Sequence, residues 1–430
     1  MRTHFTPLQL GDPHLAQVEA NLRACVHCGI CTATCPTYVL TGDERDGPRG
    51  RIVMMQAMLE RGGAPTAETV HHIDRCLSCL GCRTACPSSV DYARLVDAAR
   101  AHIETHYRRP LADRLLRAFV ANVATHPARM RVGLALARAF APLAWTMPGR
   151  FGHLARMGRA AKVAKRRRLT VRGEYKSRVA LMPGCAQAAL APNIDEAVTR
   201  VLARRGVEAV PLAGAGCCGA LSFHLGRSDE AKRWAKRAIE SFERADARRG
   251  FDAVLIGATG CAAHLKDYAN LFVDEPEWRM RAARFAARVR DFSELAEPKQ
   301  ASPPQRLRVA YHAACSLQHG MKIAGAGEAL VAAAGHEALT VPEGHLCCGA
   351  AGSYAILQPE LSGQLRARKA GNIATLEADV VVSGNIGCIV HLSGPEAPPV
   401  LHLAELLDWS EGGPSPAAQG GGDAADAHSS

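Results

Sequence analysis

Apolar positions along the 430-residue chain recur at two different spacings, and the change comes near residue 178. Ahead of it they recur at helical intervals. PRGRIVMMQAMLERG (48–62) and DYARLVDAARAHIETHYRR (91–109) both carry this pattern, which predicts helices that bury one face. Pro87 stops the chain before the second of these, and Ser88 or Ser89 is expected to cap it. After residue 178 the apolar residues come in short runs closed by glycine or cysteine. RVALMPGC (178–185), VEAVPLAGAGCCG (207–219) and FDAVLIGATGC (251–261) read as strands with helical stretches between them. LRVAYHAAC (307–315), HEALTVPEGHLCCG (336–349) and ADVVVSGNIGC (378–388) repeat the series. Strands alternating with helices predict parallel sheet.

The second series is a copy of the first. Cys185 and Cys315 stand 130 positions apart, as do Cys217 and Cys347, and Cys218 and Cys348; Cys261 and Cys388 stand 127 apart. VRDFSELAE (289–297) echoes VLHLAELLD (400–408). The second half is therefore an internal duplication, with a longer insertion after Cys261 in the first copy. The expected architecture is an α+β multidomain chain. An α-helical domain spans 1–107, a helical connector 108–177, two α/β repeats 178–300 and 301–410, and a disordered Gly- and Ala-rich tail 411–430.

Composition alters this picture only slightly. The 48% hydrophobic share is ordinary for a globular protein, and the 5% aromatic share favours helices and α/β layers over an aromatic-rich sandwich. The longest apolar stretch, VGLALARAFAPLAWTMP (132–148), is short for a membrane span and contains Arg138; it reads equally as core or as a helix lying on a membrane surface. The N-terminus lacks the pattern of a secretory signal, so a cytoplasmic location is expected, either free or peripheral on the inner face of the membrane. Net charge is +11, and residues 108–178 hold 18 Lys or Arg against two acids, Asp113 and Glu174. Such a surface suits anionic lipid, an acidic partner or plain solvent. No nucleic-acid partner is expected, because no aromatic interleaving or reading motif accompanies the charge.

Chemistry enters with 16 cysteines. In a reducing compartment these read as metal ligands or redox groups rather than disulfides. Eight lie in CVHCGICTATCP (25–36) and CLSCLGCRTACP (76–87), which share one spacing. A cube of four irons and four sulfides wants one thiolate at each iron, and cysteines three apart on a tight loop can each reach a different corner. Gly29 and Gly81 are expected to let that backbone come close. Zinc sites built from paired cysteines leave the third Cys and the Pro unexplained. The runs resemble those of bacterial two-cluster ferredoxins, in which the fourth Cys serves the other cluster. That resemblance implies Cys25, Cys28, Cys31 and Cys86 around one [4Fe–4S] cluster, and Cys76, Cys79, Cys82 and Cys35 around a second. Two adjacent clusters conduct single electrons.

The other eight divide between the repeats: Cys185, Cys217, Cys218 and Cys261, then Cys315, Cys347, Cys348 and Cys388. Ligands of open α/β sheets bind beyond the carboxyl ends of the strands, so each set is expected to converge there, with the Cys-Cys pairs on loops turning about Gly219 and Gly349. The plainer reading, small buried hydrophobes, sits poorly with eight duplicated positions. GAGCCG (214–219) fits a dinucleotide-binding pattern, but its copy EGHLCCG lacks the glycines and no acidic residue closes a following strand; it is read as a by-product of the CCG loop.

The ferredoxin-like runs, GDERDGPRGRI (42–52), HHIDRCLSCLGC (71–82) and the paired CCG loops together resemble the iron–sulfur subunits of glycolate oxidase (glycolate dehydrogenase), to about residue 408. Similar proteins are the iron–sulfur subunit of anaerobic glycerol-3-phosphate dehydrogenase, a lactate-oxidation subunit and subunits of heterodisulfide reductase. The resemblance implies a non-flavin subunit of an oxidoreductase acting on CH–OH donors, with no catalytic residue of its own. An FAD-containing partner would oxidise glycolate to glyoxylate, and this chain would pass the electrons toward quinone or a similar membrane acceptor. The same relay for glycerol-3-phosphate or lactate is the alternative within the class; a nucleic-acid-associated protein with structural clusters is the alternative outside it. In heterodisulfide reductase the last Cys of each copy belongs to a C-x-x-C pair, and each copy can hold an unusual cluster. Here those places read CAAH (261–264) and CIVH (388–391), so His264 and His391 stand as either substitute ligands or helix-face residues, and further clusters in the repeats are an open expectation.

Overall fold

Strand order follows the duplication. The computed structural model describes residues 1–139, 174–395 and 397–416. Strands β1 (Ser177–Leu181), β2 (Val207–Pro211), β3 (Ala253–Ile256) and β4 (Val289–Asp291) form one sheet in the order β2-β1-β3-β4. Strands β5 (Arg308–Tyr311), β6 (Glu337–Thr340), β7 (Val380–Ser383) and β8 (Val400–His402) form another in the order β6-β5-β7-β8. All pairings are parallel, with Val179 beside Ala209 and Ala253, and Val309 beside Ala338 and Val380. The AVLI of β3 and VVVS of β7 are buried throughout, as strands covered on both faces must be. The echoing segments at 289 and 400 are short fourth strands, each closed by a capping box. Asp291 accepts from the Ser293 N–H, His402 accepts from the Ala404 N–H, and Glu294 and Glu405 close back onto the cap N–H groups.

The two sheets share a core. Leu181 and Leu255 from the first meet Val309 and Val382 from the second in one apolar cluster. Beside it Asp408, 1% exposed, pairs with Arg200 at 2.7 Å and Arg204 at 2.8 Å across the repeats. The carboxyl ends of β3 and β7 face each other, with the Thr259 hydroxyl donating to the Gly384 carbonyl at 2.7 Å and the Gly260 N–H to Asn385 Oδ1 at 3.2 Å.

Helices Pro13–Ala24, Pro48–Arg61, Ala67–Asp74 and Tyr92–His106 pack around Leu22, Met55, Ile73 and Leu95. The helix expected over 48–62 is thus present. The one expected over 91–109 starts from Asp91 rather than from a serine cap, because Ser89 occupies a left-handed turn with φ of 52°. Of the basic connector, helices Leu111–Ala124 and Pro127–Ala139 are described, and Arg109 and Arg117 turn inward onto Asp74 at 2.6 and 2.8 Å. The rest of the connector (140–173), the end of the 132–148 stretch and most of the tail (417–430) lie outside the described residues. Among the described residues no helix is long and apolar enough to cross a membrane.

Candidate metal centres

The two N-terminal runs lie side by side around two hollows. Cys25, Cys28, Cys31 and Cys86 line the first, of about 460 Å³, with Cys82 at its edge. Cys35, Cys76, Cys79 and Cys82 line the second, of about 310 Å³. The last sulfur of each run therefore faces the other run's hollow. Pro48, Cys82 and Tyr92 line both, so one wall is shared. Local backbone shapes each wrap. His27 (φ 57°) and Gly29 (φ 82°) are left-handed in the first run, and Ser78 (φ 52°) and Leu80 (φ 61°) take the matching places in the second. A backbone that alternates hands turns successive N–H groups to one side, which suits an anionic centre. The second left-handed position is Leu80. Gly81 serves close approach, as expected, although what it approaches is the first run: a Cβ there would stand 3.1 Å from the Thr34 carbonyl oxygen.

The hollows differ electrostatically. Cys28 is exposed, whereas Cys35, Cys76 and Cys82 are buried. Arg51, 1% exposed, holds Nη1 3.9 Å from Cys35 Sγ and 3.1 Å from Thr37 Oγ1, and Nε donates to the His72 carbonyl at 2.8 Å. Buried Asp46 gathers Arg51 at 3.5 Å, His72 at 2.8 Å and Arg75 at 2.7 Å. Among the described residues the first hollow has instead the Arg49–Glu44 pair at 2.6 Å, open to solvent on one side. A fixed cation shut away from water acts far more strongly on a thiolate centre than an exposed pair does. Burial pushes the bare Cys82 and Cys79 thiols well up, Cys79 also through nearby Cys347, and pushes Cys31 up to about 11, helped by Cys25. Such thiols hold their protons until a metal displaces them. The buried Tyr92 hydroxyl, on the shared wall, has no partner among the described residues. Four sulfurs around each hollow and inward-turned N–H groups fit a [4Fe–4S] cube.

In the repeats the sulfurs also converge. Cys185 and Cys217 stand 3.5 Å apart, Cys315 and Cys347 3.7 Å. Cys218 is tied to Cys217 and Cys261, and Cys348 to Cys347 and Cys388. Hydrogen bonding with Cys185 and Cys218 holds Cys217 toward thiolate, and hydrogen bonding with Cys315 and Cys348 does the same for Cys347. Gly219 (φ 86°) and Gly349 (φ 95°) make the turns after the Cys-Cys pairs. His264 is buried among Phe223, His224 and Tyr268, with Nε2 lacking a partner among the described residues. His391 directs Nε2 to the Ser362 hydroxyl at 3.3 Å.

Sequence reasoning missed His312. It follows β5 directly, is 2% exposed, and a ring nitrogen lies within 4.8 Å of the Cys348 and Cys388 sulfurs, which are equally close to each other. The signal was present as a histidine three residues before Cys315, but the first copy has Met182 there, so comparison of the copies passed over it.

The second repeat abuts the second hollow. Leu77 and Cys79 share an apolar cluster with Cys315, Cys347 and Tyr354. His319 bridges the two parts through Thr84 Oγ1 and the His345 carbonyl, both at 2.8 Å. The first repeat instead meets helix Tyr92–His106, through an Arg94–Asp267 ion pair and through Gly226, where a Cβ would stand 2.3 Å from the Arg100 carbonyl.

These features match known families. A 4Fe-4S dicluster domain matches residues 24–91, and a cysteine-rich domain matches twice, at 179–266 and 309–393. The glycolate oxidase iron-sulfur subunit of Escherichia coli (strain K12) is 37% identical over 425 residues, 95% of this chain and 98% of that protein. The chain belongs to the family of glycolate oxidase iron–sulfur subunits. A member from Bacillus subtilis (strain 168), named a probable glycolate oxidase iron-sulfur subunit, is 30% identical across 90% of this chain and 94% of its own length. Lactate utilization protein A of Exiguobacterium sp. is 29% identical over 54% of this chain and 96% of its own length. The crystal structure of a hypothetical protein from Helicobacter pylori shares the fold, with a TM-score of 0.57 at 8% identity, across 95% of this chain and 74% of that one. Family membership makes this an iron–sulfur, electron-transferring subunit of an oxidoreductase.

Proposed function

We propose that the chain carries electrons from a flavoprotein that oxidises glycolate to glyoxylate toward quinone or a similar acceptor. Cys25, Cys28, Cys31 and Cys86 are proposed to hold one [4Fe–4S] cluster, and Cys35, Cys76, Cys79 and Cys82 the other. The observation that carries this reading is the exchange of Cys35 and Cys86 between the hollows. Each cluster, when bound, takes up and releases one electron at a time. Cys28, on the exposed side, marks the face for the flavoprotein; Cys79, against the second repeat, marks the exit. Arg51 stabilises added negative charge at the second hollow and so favours movement in that direction. Cys185, Cys217, Cys218 and Cys261, and Cys315, Cys347, Cys348 and Cys388, are proposed to form further centres. Residues 1–107, 178–300 and 301–410 are proposed as three folded units joined by 108–177, with the sheet of the first repeat already begun at Ser177 and with Glu411 of the expected 411–430 tail held by Arg205 at 2.7 Å rather than loose. The connector's 17 basic residues against two acids favour an anionic membrane face as the place of the acceptor.

Glycolate is favoured over lactate by the extent of similarity, nearly the whole chain against about half. The test is a dye-reduction assay on the complex purified with its flavoprotein. Glycolate-dependent reduction is expected; reduction with lactate and none with glycolate would overturn the assignment.

A further inference from the structure

The duplication supplies the same backbone to both crevices but not the same donors. Met182 and His312 occupy one place in the two copies, each just past its first strand. Their N–H groups donate to Leu255 and Val382 respectively, both at 2.8 Å, so the strand ladder runs on identically through both. The side chains then diverge. Met182 is fully buried in the apolar cluster of Ile256 and Leu265. His312 is equally enclosed, and among the described residues neither ring nitrogen has a well-aligned hydrogen-bond partner, the Cys388 sulfur being the group that interacts with it. A buried imidazole with no partner better than a thiol is costly unless something else engages it. What stands beside it is a pair of buried sulfurs, Cys348 and Cys388, with all three donor atoms within 4.8 Å of one another. Asn385 Nδ2 donates to Cys388 Sγ at 3.4 Å, the kind of support that orients a metal-bound thiolate. The crevice lies at the carboxyl ends of the strands, where open α/β sheets bind ligands.

We propose that the second repeat holds a thiophilic metal centre in which His312 is a nitrogen ligand beside Cys348 and Cys388, and that the first repeat, with Met182 in that place, holds a chemically different centre. Mixed thiolate and imidazole donors select zinc or the iron of an iron–sulfur centre over magnesium or calcium. Imidazole in place of thiolate raises the potential of an iron–sulfur centre, and this crevice is the one that adjoins Cys79. An iron centre here would accept electrons from the second hollow; a zinc centre would clamp the repeat against it. The proposal rests on the reading that the repeats are metallated, and the metal counts below test that reading separately.

The experiment uses the full chain, purified without oxygen and labelled with ¹⁵N-histidine. Iron, zinc and acid-labile sulfide are counted in wild type, His312→Met, His312→Cys and Cys348→Ala. Metal beyond the two N-terminal cubes is expected in wild type, and the second repeat's share of it is expected to be lost in Cys348→Ala. His312→Met, which installs the first copy's residue, should release that metal to a chelator about 10- to 100-fold faster. His312→Cys should retain it. If the metal is iron, pulsed EPR of wild type shows coupling to a directly bound imidazole nitrogen that His312→Met lacks; if zinc, X-ray absorption shows the same nitrogen. Unchanged iron in the N-terminal cubes reports that each variant folds. Equal release rates and equal nitrogen signatures in wild type and His312→Met overturn the proposal. Wild type without metal beyond the two cubes overturns both the proposal and the reading beneath it.

Discussion

The two repeats have one backbone plan and two environments. Both sheets place the second strand at the edge, turn after a Cys-Cys pair about a left-handed glycine and bring a pair of sulfurs to 3.5 or 3.7 Å. In the first repeat Phe223 and His224 pack on His264, and the repeat reaches the N-terminal helices through an ion pair. The second packs its Cys315 and Cys347 with Cys79 of the second hollow. Duplication has kept what the chain path requires, glycine at the turn and cysteine at the strand end, and let the surrounding donors drift. The copy that abuts the second hollow is the copy that carries His312.

The sharpest way to break this comparison is to remove one sulfur from each side. Cys347→Ser is expected to slow electron passage through the reconstituted complex by at least the roughly 10- to 100-fold that loss of a centre's supporting groups costs. Cys185→Ser should leave it near wild type. Equal losses from both variants, measured by stopped-flow reduction, would mean that the repeats serve alike.

The asymmetry begins beneath the repeats, at Arg51. Arg51→Met leaves Asp46 buried without one of its cations and is expected to cost about 3–5 kcal/mol by chemical denaturation. It should also lower the potential of the second centre in a redox titration followed by EPR. Arg49→Met, beside the first hollow, removes an exposed pair worth about 0–1 kcal/mol and should move little.

His402 joins the copies, donating from Nε2 to the Gly257 carbonyl at 2.8 Å while Nδ1 accepts from the Ala404 N–H at 3.0 Å. The bond accepted by Nδ1 needs the neutral ring, and burial pushes its pKa down to about 4. The unfolded ring protonates near ~6.5, so protons favour the unfolded state as pH falls through that window. Stability of the paired repeats, full above pH ~6.5, should fall by about 3 kcal/mol by pH ~4, and His402→Gln should flatten that slope. The smallest effect distinguishes the turns. Alanine at Gly349 meets the Ser362 carbonyl at 2.7 Å, and at Gly219 the Ala231 carbonyl at 3.2 Å. Both substitutions incur the left-handed penalty of about 1–2 kcal/mol, so Gly349→Ala should melt below Gly219→Ala.

Much of this was legible in residue order. The helix over 48–62, six of the eight strands and the duplication follow from periodicity and spacing, because each is a local pattern. The fourth strands, three residues apiece, are too short to carry a period and had shown only as an echo. The left-handed turn at Leu80 is not legible in the sequence, because leucine gives no local signal for it. Arg51 reads along the chain as one more arginine on a helix; its burial is set by Asp46, His72 and Arg75 converging from other segments. His312 went unnoticed for the opposite reason, that repetition was the guide and this residue does not repeat.

The central claim is the exchange of the fourth sulfur between the two runs. It is tested most directly by EPR of the reduced full chain with Cys35→Ser, Cys86→Ser, Cys76→Ser and Cys25→Ser compared in turn. The account predicts that Cys35→Ser alters the same signal as Cys76→Ser, and Cys86→Ser the same signal as Cys25→Ser. Finding Cys35→Ser grouped with Cys25→Ser would contradict it.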